Sequence, residues 1–75
     1  MKNRKSLHIG RCIKQYLEAT GTSTVWLARQ LGYHRTNLYK IYEKPTIDTG
    51  ILLRISKIVG YNFFALYEKE FQEEE

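Results

Sequence analysis

The apolar residues fall into five short runs with helical spacing, separated by glycines or by the single proline. Ile9, Ile13 and Leu17 recur at i, i+4, i+8 with Tyr16 beside them, and predict a first helix over 7–20 that Ser6 caps and Gly21 ends. Leu27, Ala28 and Leu31 share one face of a second helix over 24–31, capped by Ser23 or Thr24. Leu38 and Ile41 share one face of a third over 35–43, with His34 near its cap. Pro45 pushes Lys44 out of the helical region, which stops this helix by about residue 43. Asp48 or Thr49 opens a fourth helix over 49–59, with Ile51, Leu52, Ile55, Ile58 and Val59 as its core stripe and Gly60 at its end. Asn62 caps a fifth over 63–71, in which Phe63, Leu66 and Tyr67 face the core while Phe64 and Phe71 lie off that stripe. The expected fold is an all-α, compact five-helix domain.

The chain is organised around Thr24 to Glu43. Gly32, between two apolar faces, can take the left-handed backbone that ends a helix. Ala28 is small and lets the third helix cross closely over the second. The third helix then turns Arg35, Thr36, Asn37, Tyr39 and Lys40 outward, hydrogen-bonding or cationic side chains with no acid among them. Such a face can enter a DNA major groove, where base edges offer donors and acceptors. Arg35 can bond guanine O6 and N7 together, and Asn37 can read adenine if it points into the groove. Tyr39 and Asn37 also suit phosphate or thymine-methyl contacts, and His34 can touch a phosphate. Lys44 is placed to meet the DNA backbone, or is a solvated loop lysine. The competing reading of the whole stretch is the solvated surface of an unrelated helical protein.

The same residues carry a resemblance. The stretch resembles the helix-turn-helix of the phage repressor and Cro family, the XRE-type regulators. The small residue of that motif matches Ala28, its turn glycine Gly32, and its buried positions Leu27, Leu31, Tyr33, Leu38 and Ile41. Ile9, Gly10 and Ile13 resemble the family's first helix, and Leu52 to Tyr67 its fourth and fifth, so the likeness runs from Leu7 to Tyr67. It implies a lambda-repressor-like domain with base-reading positions at Arg35, Thr36 and Lys40, a phosphate contact at Thr24, and a dimer interface at the fifth helix.

Four departures bear on those implications. Thr24 stands where the family commonly has glutamine, which shortens the reach toward the reading helix. Val25 and Trp26 stand at polar positions, and form either a contact patch or, for Trp26, a cover over a neighbouring helix. Leu17 and Tyr42 replace a buried arginine–glutamate pair, and the expectation is that Leu17 packs on the Tyr42 ring, against a surface Tyr42 free to touch phosphate. Lys44 and Pro45 follow the third helix where a glycine is common.

Composition narrows the classes. Seventy-five residues, 43% of them apolar, allow one domain with a small core. The single Cys12 excludes an intrachain disulfide, and no apolar run reaches a membrane span or a signal segment, so a cytoplasmic, nucleoid-associated protein is expected. Residues 1–44 carry nine Lys/Arg and two acids, net +7; residues 45–75 carry three bases and six acids, net −3. The positive half contains the expected reading helix, which points to a polyanion as its partner, with Arg11 or Lys14 as further phosphate contacts. Residues 1–6 read as a basic flexible tail, 7–71 as the domain and 72–75 as an acidic flexible tail. His8 and Cys12 are four apart, but two ligands do not make a metal site, and no cofactor is expected. There is no Ser/His/Asp set, P-loop or sizeable pocket to suggest an enzyme.

The expected function is that of a transcriptional regulator, a repressor of phage or mobile-element type, binding double-stranded DNA as a homodimer through the fifth helix. The alternative is a protein-interaction module, such as an antitoxin or accessory partner, using Val25 and Trp26 or Phe64 and Phe71.

Overall fold

The computed structural model describes residues 7–73. Five helices occupy them: α1 Ile9–Thr20, α2 Thr24–Leu31, α3 Arg35–Tyr42, α4 Thr49–Val59 and α5 Phe64–Gln72. No strand occurs among the described residues. The bounds of α2 and α4 agree with the apolar periodicity, and α3 ends one residue early, with Glu43 as its C-cap.

The first helix begins later than expected. Ser6 lies outside the described residues, and His8 is the N-cap of α1, its Nδ1 accepting from the Arg11 N–H at 3.0 Å. A ring nitrogen serves as the cap acceptor here, which gives His8 a structural role at the start of α1. The N–H groups of Ile9 and Gly10 donate to the carbonyls of Pro45 and Lys44, each at 3.0 Å. The start of α1 is thereby seated on the chain leaving α3. Position 10 must be glycine for this seating: a Cβ there would press into the carbonyl oxygens of Ile41, Tyr42 and Lys44.

Local chemistry fixes the other ends. Ser23 Oγ accepts from Trp26 N–H at 3.1 Å, which makes Ser23 rather than Thr24 the cap of α2. Gly32 takes φ 77°, and Tyr33 N–H returns to the Ala28 carbonyl at 2.8 Å. Arg54 of α4 donates to the Leu31 carbonyl at 3.1 Å, closing the end of α2 from across the domain. Asp48 Oδ2 caps α4 through Ile51 N–H at 3.1 Å.

The core is built from Ile9, Ile13 and Leu17 of α1, Leu27, Ala28 and Leu31 of α2, Leu38, Ile41 and Tyr42 of α3, Leu52 and Ile55 of α4, and Phe63. Ile51, Ile58 and Val59 pack at its margin, with Cys12 and Tyr33. Leu17 and Tyr42 both belong to the buried cluster.

The last helix departs most from expectation. It runs one residue later than predicted, with Phe63 in the cap position and Asn62 Oδ1 accepting from Phe64 N–H at 3.0 Å. No residue within α5 is buried. Its mooring is Phe63, which is 1% exposed, meets the rings of Tyr16 and Tyr61 edge-on, and donates its N–H to Ser56 Oγ at 3.4 Å. Tyr67 is therefore a rim residue, not a core one, while Phe64 packs half-buried against the core instead of standing free.

Candidate nucleic-acid interface

The outward face of α3 carries Arg35, Thr36, Asn37, Tyr39 and Lys40, all exposed. Leu38, Ile41 and Tyr42 hold the opposite face in the core. The five candidate side chains thus stand on one short helix whose other side is anchored. They are not equally free. His34 N–H donates to Asn37 Oδ1 at 3.0 Å, so the side-chain oxygen of Asn37 gives one of its two lone pairs to the helix start. A bidentate adenine contact needs both ends of that amide, and in this geometry its oxygen comes to it with one lone pair already engaged. His34 Nδ1 lies 3.3 Å from Thr36 Oγ1, which ties a second candidate to the same cap. Arg35 and Lys40 are the exposed cations of the face.

Thr24 is also engaged. Its Oγ1 and the Tyr42 hydroxyl are 2.7 Å apart, a hydrogen bond joining the first turn of α2 to the last turn of α3. This excludes the alternative of a free surface Tyr42, whose side chain is 8% exposed. Burial pushes the Tyr42 phenol above its ordinary value of 10, against a smaller lowering by the Thr24 bond. The contact spans eighteen residues and joins two residue types rarely read as a pair, so no local pattern announces it.

A groove of about 730 Å³ runs between α1 and the α2–α3 pair. Arg11 and Lys14 stand on its α1 side, with Thr24 and Tyr39 across from them. The ring of Tyr39 sits 6.2 Å from that of Tyr42 and is 49% exposed. The structure therefore brings four expected phosphate contacts to one place. It also lines the groove with Glu18 and Glu43, so the wall is of mixed sign. Lys44, exposed on the loop after α3, keeps its side chain outward while its carbonyl receives Gly10.

The candidate protein-contact residues are dispersed. Val25 and Trp26 are 44% and 41% exposed on α2. Trp26 lines a groove with Ile58 and Val59, which combines the two readings of this residue: it leans toward α4 and stays accessible. Phe71 is 79% exposed at the far end of α5.

Comparison with protein-family models, curated proteins and solved structures finds no match. Among the described residues no helix is long and apolar enough to cross a membrane, and no three His, Cys, Asp or Glu side chains are grouped to hold a metal ion.

Proposed function

We propose that α2, the Gly32 turn and α3 form a DNA-binding helix-turn-helix in a lambda-repressor-like domain of XRE type, and that the protein is a transcriptional regulator, a repressor that occludes a promoter. The observation that carries this reading is the acid-free, outward face of α3, backed by a buried face that locks the helix onto its neighbours. Arg35 and Lys40 are the base readers, Thr36 assists within the His34 cap, and Asn37 contributes its NH₂ as a donor to a base acceptor. Tyr39, Lys44, Arg11 and Lys14 meet phosphates, while Thr24 holds α2 against α3 through Tyr42. The work is binding, not bond-making, and its site is the nucleoid.

The test is selection from a pool of random duplexes at two salt concentrations, with wild type and Arg35→Ala. Wild type is expected to recover a defined motif. Arg35→Ala should lose roughly 1–3 kcal/mol on that motif and accept other bases at one position. Binding that leaves no motif and vanishes with modest salt reduces the basic face to a non-specific electrostatic surface. The exposed Trp26 and Phe71 favour a second reading, a protein-interaction module, which such a result would bring forward.

A further inference from the structure

The aromatic side chains of α5 do not finish inside the domain. Phe64, Tyr67 and Phe71 follow one another at i, i+3 and i+7, so they share a face of the helix. Along that face exposure rises from the half-buried Phe64 to 36% at Tyr67 and 79% at Phe71. The stripe begins on the core and runs off its edge. Residues 64–75 carry five glutamates and one lysine, so the apolar stripe is set in a negative segment.

The opposite kind of surface lies on α2 and α4. Trp26, Ile58 and Val59 line a shallow groove of about 460 Å³ whose remaining wall is the Gly21–Ser23 turn. Helices α2, α3 and α4 contain Arg29, Arg35, Lys40, Arg54 and Lys57 and not one Asp or Glu. Arg54 lies a turn back from Ile58 on α4, while Arg29 stands on the other side of Trp26, lining a neighbouring groove with Val25, His34 and Arg35.

We infer that the outer end of α5 docks into the Trp26–Ile58–Val59 groove of a second copy of this chain. Phe71 supplies the ring that the groove receives, and the glutamates around it face Arg54 and the acid-free surface of α2 and α4. Charge selects this pairing over a two-fold contact of α5 on α5, which brings two segments of net −4 together along one seam. Because stripe and groove are different surfaces of the same molecule, the contact is head-to-tail: each copy retains a free groove at one end and a free stripe at the other. It buries little area and is weak and concentration-dependent.

The experiment uses the full chain. Trp26 is the only tryptophan, so its emission reports the groove directly and a Trp26→Ala chain is invisible in that channel. Sedimentation of the wild type is expected to show a mass that climbs with concentration through dimer to longer species, and less so in high salt. Phe71→Ala and Trp26→Ala should each remain monomeric alone. Mixed one to one, they should form a dimer and nothing larger, and the Trp26 emission of the Phe71→Ala chain should shift to the blue as the other is added. Arg54→Gln, an exposed position, keeps the test open if Trp26→Ala unfolds, and is expected to weaken wild-type association. A wild type that stays monomeric at every concentration overturns the inference. So does a Trp26→Ala chain that dimerises as wild type does while Phe71→Ala does not, which is the behaviour of a two-fold α5 contact.

Discussion

Helices α3 and α5 have eight and nine residues and both turn charge to the solvent, but the domain holds them in opposite ways. Three residues of α3 are buried, its start is tied by Asn37 to His34, and its end by Tyr42 to Thr24. The carbonyls that follow it receive the first N–H groups of α1. Helix α5 buries none of its own residues and hangs from Phe63, the residue before it. The charges divide the same way, with two bases and no acid in α3 and two glutamates against one lysine in α5. A helix that reads a rigid polymer must hold its side chains in fixed register, which takes mooring at both ends. A helix that offers an apolar stripe to a partner needs mooring at one end only.

The largest effect expected from this contrast sets Phe63 against Phe71. Truncating Phe63 to Ala removes a ring that is 1% exposed and contacts Tyr16 and Tyr61, and should cost about 3–5 kcal/mol. Truncating Phe71, at 79% exposure, should stay within about 0.5 kcal/mol in the monomer. Denaturant melts of the two variants at low protein concentration measure both. Similar losses at the two positions would mean that the outer turns of α5 are as much a part of the core as its root.

The next effect acts on the mooring of α3. A Gly10→Ala methyl meets three backbone carbonyls, those of Tyr42 and Lys44 at 2.7 Å, and backbone atoms cannot swing aside as side chains do. We expect a loss of about 2–3 kcal/mol, the upper part of the usual range for overpacking. Hydrogen exchange should show faster exchange at the start of α1 and the end of α3, with α5 unaffected. A methyl absorbed at no cost would show that α1 and α3 are not locked through these carbonyls.

The same contrast explains what could be read from the chain alone. Periodicity placed α2 and α4 to the residue, because their apolar stripes are regular and their caps are Ser, Asp and Gly, and placed α3, capped by His34 and Glu43, within one. The core followed from the same stripes in α1, α2 and α3, while of the α4 stripe only Leu52 and Ile55 are buried and Ile51, Ile58 and Val59 lie at the margin. The errors gather where mooring is non-local. His8 caps α1 through an imidazole nitrogen, and Ser6 was the more usual choice. The register of α5 follows Phe63 and its bond to Ser56, seven residues away on α4, and this moves Phe64 inward and Tyr67 to the rim. At the candidate site the exposed face of α3 was legible as a face. What each member can offer was not, because the engagement of Asn37 by His34 and of Thr24 by Tyr42 depends on side-chain geometry that composition does not encode.

The smallest expected effect probes the far end of α3 through its pH dependence. Burial holds the protons of Tyr42 and Tyr67 above the ordinary tyrosine value of 10, and that of Cys12 above 9, with Arg11 opposing the last. Each group is neutral when protonated, so the folded chain keeps protons that the unfolded chain has already lost. Their contribution is complete below the unfolded values and is lost as pH rises through the folded ones, which predicts a fall in stability beginning near pH 9 and steepening above 10. Tyr42→Phe removes one titrating group and the hydrogen bond to Thr24 together. At neutral pH it should cost about 0.5–1.5 kcal/mol, and above pH 10 its stability should fall less steeply than that of wild type. Urea melts across the alkaline range measure both. A neutral-pH loss with an unchanged alkaline slope would leave the Thr24 bond as a tie between α2 and α3 and transfer the pH dependence to Tyr67 and Cys12, which belong to the α1–α5 side of the molecule.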